Sequence, residues 1–211
     1  GDAAGAERWA RAARAQDPRS AEAAYNLGIA LRMAGKEAEA VLGLSPVVPV
    51  VVIEDIAMAA PLARALAAGG LRTAEITLRT PAALEAIAIM RKAAPELVIG
   101  AGTVLGQADL DAAIAAGAAY ALSPGASPAL LAAGRGAPIP LIPGIATASE
   151  LMLGLEHGYR CFKFFLAENL GGPAALKALG APLPQARFCP TGGISADKAP
   201  AYLALETRRR P

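Results

Sequence analysis

The chain has 211 residues, 55% of them hydrophobic and 18% charged, with a formal net charge of +2. That length holds one sizeable domain and an appendage, and so small a net charge argues against a nucleic-acid footprint or strong attraction to a membrane surface. No apolar run approaches a membrane span, and the alanine-rich, partly acidic start from Gly1 to Trp9 does not read as a signal peptide. Cys161 and Cys189 are too few for a disulfide framework and read as buried thiols of a cytoplasmic protein. The single histidine, His157, excludes most zinc sites built from histidine clusters.

Residues 1–44 read as helix. Trp9, Ala13 and Pro18, then Ala24, Leu27, Gly28, Leu31, Gly35 and Ala40, fall at the spacing of two closely packed antiparallel helices. This pattern resembles part of a tetratricopeptide array, although the aromatic residue expected at Ala24 is missing; a generic amphipathic helix pair fits equally well. So few repeats cannot bury a core alone and need the main domain, or another chain, to pack on.

From residue 45 to 205 the pattern changes. The β-branched run Val47–Ile53 is followed by a helix over about 56–68, a strand over Thr73–Leu78 and a helix opened by Thr80-Pro81 as N-cap and first helical residue. Strands are then expected at Leu97–Gly100, Tyr120–Leu122, Leu141-Ile142, Cys161–Phe165 and Arg187–Cys189, each followed by a small-residue loop and a helix. Strand and helix alternate every ~21 to 26 residues, as parallel βαβ units do. Seven such strands predict an α/β protein of the (β/α)8 TIM-barrel type. The eighth strand and helix are not recognisable: after a helix over about 195–205, residues 206–211 form a short basic tail. An incomplete barrel exposes two strand edges.

Chemistry concentrates on two strands. In Cys161-Phe162-Lys163-Phe164-Phe165, alternation puts Lys163 and Phe165 on one face between apolar neighbours, so the amine leaves water. Burial without a partner disfavours an ammonium, and a neutral amine attacks ketones to give Schiff bases. A structural lysine paired with a carboxylate, or one snorkelling to the surface, is the plainer alternative. The other strand puts Thr73, Glu75, Thr77 and Arg79 on one face, and a Glu75–Lys163 ion pair would be its structural reading. The last strand passes Arg187 and Cys189 to Thr191, and the backbone N–H groups of Thr191-Gly192-Gly193 suit an anion.

Taken in order, Pro46-Val47-Val48-Pro49-Val50, Glu75-Ile76-Thr77-Leu78-Arg79-Thr80, Gly100-Ala101-Gly102-Thr103-Val104, Ser123-Pro124-Gly125, Pro140-Leu141-Ile142-Pro143-Gly144, Phe162-Lys163-Phe164-Phe165 and Arg187-Phe188-Cys189-Pro190-Thr191-Gly192-Gly193 resemble the 2-keto-3-deoxy-6-phosphogluconate (KDPG/KHG) aldolases. The resemblance implies a trimeric, cytoplasmic, cofactor-free class I aldolase of the Entner–Doudoroff route. It would split a six-carbon phosphorylated keto acid into pyruvate and glyceraldehyde 3-phosphate. Carried over, Lys163 is the Schiff-base lysine and Glu75 the general acid/base, acting through a water. Arg79 and Thr103 hold the pyruvate carboxylate, Pro124 and Phe165 wall the pocket, Thr191 contacts substrate, and Gly192 and Gly193 bind phosphate.

Three departures stand against that pattern. Leu166 occupies a family proline position, residues 1–44 are foreign to the usual chain, and the last strand with its Gly-Gly-Ser phosphate loop is missing. A chimeric, engineered or truncated chain has these features. The second functional class they admit is a catalytically impaired barrel serving as a structural or self-assembling scaffold, trimeric or larger.

Overall fold

The protein is described by a computed structural model over residues 37–205. Most of the expected helical appendage (residues 1–36) and the basic tail (206–211) lie outside the described residues. The elements run α1 (Glu37–Leu42), β1 (Val50–Val51), a 3-10 turn (Ile56–Met58), α2 (Ala59–Ala68), β2 (Thr73–Thr77), α3 (Ala83–Ala93) and β3 (Val98–Gly102). There follow α4 (Gln107–Ala115), β4 (Ala121–Leu122), α5 (Pro128–Gly136), β5 (Leu141–Ile142), β6 (Gly144–Ile145), α6 (Ala148–Glu156), β7 (Cys161–Phe165), α7 (Gly172–Gly180), β8 (Arg187–Thr191) and α8 (Ala199–Leu203). Among the described residues no helix is long and apolar enough to cross a membrane.

All strand pairs are parallel, as the alternation predicts: β1-β2-β3-β4-β5 form one sheet and β6-β7-β8 another. β5 and β6 are two halves of one extended segment, longer than the expected Leu141-Ile142. Pro143 separates them because it has no N–H to give to a ladder. Its carbonyl still accepts from the Lys163 N–H at 2.9 Å, so the hydrogen bonding continues from one sheet towards the other. Among the described residues no strand pairs with the outer edge of β1 or of β8. β1 shrinks to two residues of the expected Val47–Ile53 run, since it is paired along one edge only.

The strand faces divide the core. Ile76, Ile99, Ala101, Phe162, Phe164 and Phe188 belong to one large apolar cluster with Ala63, Ile87, Met90, Leu110, Leu151 and Leu176 of the helices. The opposite faces carry Tyr120, Leu122 and Ile142, which close on Val41 of α1 in a second cluster. α1 thus packs on the strands, although it falls in the segment read as appendage. The second face also carries the buried polar side chains Thr73, Glu75, Thr77 and Lys163.

Local chemistry sets several helix starts. Ser127 caps α5 by accepting the Leu130 N–H, with Pro128 following. Thr147 and Glu150 form a reciprocal capping box on α6. Thr80 corrects the sequence reading: α3 starts at Ala83 without a side-chain cap, and the Thr80 hydroxyl instead donates to the Ile53 carbonyl at 2.5 Å. A long-range bond to the segment after β1 wins over a local cap.

Candidate active site

β2 and β7 belong to different sheets, yet their side chains meet. The Lys163 ammonium donates to Glu75 Oε1 at 2.8 Å, and the two residues are 4% and 1% exposed. The expectation of a buried lysine holds, and the amine has a carboxylate partner. Gly102 in β3 makes the approach possible: a Cβ there would overlap the Glu75 carboxyl group. Burying two opposite charges costs several kcal/mol per ion and contributes little net stability, so packing alone does not account for the pair.

Near the pair lies a buried floor that sequence reasoning missed. Tyr120, fully buried, shares a 2.7 Å hydrogen bond with Thr73, whose hydroxyl also reaches the Val98 carbonyl at 2.9 Å. Burial pushes the Tyr120 hydroxyl well above its ordinary range, so the floor stays neutral. The ring occupies the space that any side chain at Gly100 would need. A large residue facing a glycine on the neighbouring strand was the available signal.

Phe165 and Pro124, expected from the sequence as pocket walls, both lie close to the lysine strand. The Phe165 ring centroid lies 5.4 Å from Lys163 Nζ. Gly144 is in register with Lys163, donates its N–H to Ser123 Oγ at 3.1 Å, and leaves no room for a Cβ against the Pro124 backbone. That contact seats Pro124 beside the lysine strand. Thr191 is in register with Phe165 and its hydroxyl donates to the Cys189 carbonyl at 3.3 Å.

Arg79 and Thr103 form a second polar pair just beyond β2 and β3, with Arg79 Nε donating to Thr103 Oγ1 at 3.2 Å. Arg79 is exposed, and Thr103 has a φ of +62°, a costly conformation for a β-branched residue and one typical of functional loops. Arg187 is not brought in: its guanidinium turns to the Pro184 and Ala186 carbonyls at the start of β8. Both cysteines are buried thiols.

After β8, Gly192 and Gly193 adopt φ of +109° and +76°, which only glycine takes without strain. Glu168, after β7, donates its N–H to the Gly192 carbonyl and packs its side-chain stem against Gly193. Its carboxylate accepts from Lys198 at 2.6 Å and from the Tyr202 hydroxyl at 2.5 Å. Bonding to Lys198, then to Tyr202, holds Glu168 below its ordinary range, and the same bond raises Lys198. Sequence reasoning missed this cluster because Lys198 and Tyr202 arrive from another element. A separate hollow of about 370 Å³, lined by Arg135, Pro138, Tyr159 and Arg160 among others, opens at the starting ends of β5 and β7, away from Lys163. Among the described residues no cluster of His, Cys, Asp or Glu could hold a metal ion.

The family model for KDPG and KHG aldolase matches residues 38–208. The chain belongs to the KDPG and KHG aldolase family. It is 51% identical over 170 residues to the KHG/KDPG aldolase of Escherichia coli K12, covering 81% of this chain and 80% of that one. The structure of the Zymomonas mobilis ZM4 2-keto-3-deoxy-6-phosphogluconate aldolase with 3-phosphoglycerate is similar at a TM-score of 0.80 and 50% identity, over 82% of each chain. The Legionella pneumophila KDPG aldolase, holding pyruvate as a covalent carbinolamine, is similar at a TM-score of 0.78 and 48% identity, over 80% of this chain and 82% of that one. The family match begins inside α1, in keeping with the contact of Val41 with β4 and β5.

Proposed function

We propose that this chain is a Schiff-base aldolase that cleaves 2-keto-3-deoxy-6-phosphogluconate to pyruvate and glyceraldehyde 3-phosphate, with Lys163 as nucleophile and Glu75 as proton carrier. The observation that carries the assignment is the 2.8 Å Lys163–Glu75 contact on a buried face, in a chain of this family.

Transfer of one proton along that contact leaves a neutral amine and a neutral carboxyl. The amine adds to the substrate C2 carbonyl, giving a carbinolamine. Glu75 returns its proton to the departing hydroxyl, water leaves, and a protonated imine forms. The Glu75 carboxylate then takes the C4 hydroxyl proton, through a water where needed. The C3–C4 bond breaks, the aldehyde departs, and the bonding pair moves to the imine nitrogen as an enamine. Protonation at C3 and hydrolysis release pyruvate and regenerate the amine. Arg79, steadied by Thr103, grips the substrate carboxylate. Phe165 and Pro124 wall the reacting carbons, Thr191 contacts substrate, and Gly192 and Gly193 take the phosphoryl group. No cofactor enters this chemistry.

In this reading the two sheets curve into a (β/α)8-type barrel, and the protein acts as a cytoplasmic homotrimer. An impaired barrel serving as an assembly scaffold is the second reading, favoured by the outer edges of β1 and β8, with which no strand pairs among the described residues. Leu166, 44% exposed beside the lysine strand, points the same way. Borohydride reduction in the presence of pyruvate separates the two. The aldolase reading requires a stable adduct mapping to Lys163 and its loss in Lys163→Met, and a folded chain that forms no adduct leaves the scaffold. Solution mass adds to the test: a trimer fits the enzyme, a larger closed assembly the scaffold.

A further inference from the structure

We propose that Lys198 sets the preference for a phosphorylated substrate, by neutralising Glu168 beside the Thr191-Gly192-Gly193 loop. The inference rests on the aldolase reading for the identity of the substrate. The position of the charges does not depend on it.

Glu168 is held against this loop. Its N–H donates to the Gly192 carbonyl at 3.1 Å, and the preceding Ala167 N–H donates to the Thr191 carbonyl at 2.9 Å. A Cβ added at Gly193 would stand 2.9 Å from Glu168 Cβ and 3.1 Å from its Cγ. The carboxylate cannot easily swing away, because the Tyr202 hydroxyl, on a residue only 6% exposed, grips Oε1 at 2.5 Å. A loop whose backbone suits a phosphoryl dianion therefore has a fixed carboxylate close by, on the side chain whose Cβ and Cγ pack against Gly193. Asp197, kept ionised by a hydrogen bond from Ser195, acts on Glu168 as a second negative charge.

Like charges at such range repel, and a phosphoryl group would be disfavoured here without a counter-charge. Lys198 supplies it, 2.6 Å from Glu168 Oε2. The Lys198 side chain is 47% exposed, so the pair adds little to stability. Its ammonium has three donors, of which Glu168 takes one. The pair thus carries a function that stability does not explain: it makes the loop hospitable to an anion while Glu168 keeps its shape.

The test uses the full chain and compares kcat/KM for the phosphorylated keto acid with that for its dephosphorylated analogue. In Lys198→Met the ratio should fall about tenfold, mainly through KM and less so at high salt. Adding Glu168→Gln to that variant removes the exposed charge and keeps an acceptor for Tyr202, so the ratio should recover. An unchanged ratio, or a double variant no better than the single one, overturns the proposal. Titration with inorganic phosphate followed by phosphorus NMR gives a readout without turnover. Weaker phosphate binding in Lys198→Met than in the parent supports the proposal even where neither substrate is cleaved, an outcome that would sink the aldolase reading alone. Equal phosphate binding overturns it.

Discussion

Gly102→Ala tests the reasoning about the catalytic pair with a single methyl group. The residue lies in β3, in register with Thr77, and its φ is not positive, so the backbone accepts alanine. The difficulty is spatial. The new Cβ would stand 2.6 Å from Glu75 Cγ and 2.7 Å from Cδ, and would overlap Oε1. Glu75 must rotate away, and its 2.8 Å contact with Lys163 is lost. Overpacking of this kind costs ~1–3 kcal/mol, a fall of several degrees in Tm for a domain of this size. The kinetic cost is larger, since a misplaced general acid/base loses ~10²–10⁴-fold in rate. Pyruvate release, followed in a coupled dehydrogenase assay, should drop at least ~100-fold in kcat. Gly134→Ala is the control: its Cβ would crowd Leu141 and Tyr159, away from the pair, so Tm should fall while kcat holds. Near-normal kcat in Gly102→Ala would refute the view that Glu75 must be held against Lys163.

Two further outcomes are expected, one at the same pair and one at the start of α6. Glu75→Gln keeps the shape but cannot carry a proton, so kcat should fall ~10²–10⁴-fold; intact-mass kinetics should show the Lys163–pyruvate adduct forming slowly rather than not at all. On α6, burial is the largest single influence on Glu150 and raises it, but the Ala146 N–H, the Thr147 hydroxyl and the Thr147 N–H together bring it below its ordinary range. A carboxyl depressed in the folded state contributes stability above its unfolded pKa and loses it as pH falls through the folded value. The Tm difference between the parent and Glu150→Gln should therefore be full at neutral pH and shrink below about pH 4; a constant difference would show that charge is not what caps this helix.

How much could be read from the chain depended on whether the signal was local. The βαβ rhythm, the Lys163 strand and the Glu75 strand show because alternation and β-branched runs express themselves within a few residues. Even the pairing of Glu75 with Lys163 was legible, as the plain structural alternative, because two like-facing strands carried one charge of each sign. Helix starts were less legible. Thr80 has the sequence of a cap, and only the fold shows the Ile53 carbonyl that takes its hydroxyl. Tyr120 gave no local hint of being the floor, since its significance lies in Thr73 and in the absence of a side chain at Gly100, both on other strands.

The same distinction explains why the two ends of the substrate are read with such different ease. In the proposed function the carboxylate and ketone end falls to Arg79, Thr103, Glu75 and Lys163, reactive or polar residues that stand out among apolar neighbours. In the same proposal the phosphoryl end falls to backbone N–H groups and two glycines, which carry little residue-type information. Its electrostatics are set by Glu168, Lys198 and Tyr202, which look like ordinary solvated residues in the sequence. The glycines confer shape, with φ of +109° and +76°, and backbone of this kind can line an anion-binding concavity. Shape alone does not choose between a dianion and a neutral hydroxyl. That choice needs a charge balance, which we assign to the residues beside the loop, where Tyr202 fixes the Glu168 carboxylate and Lys198 offsets it.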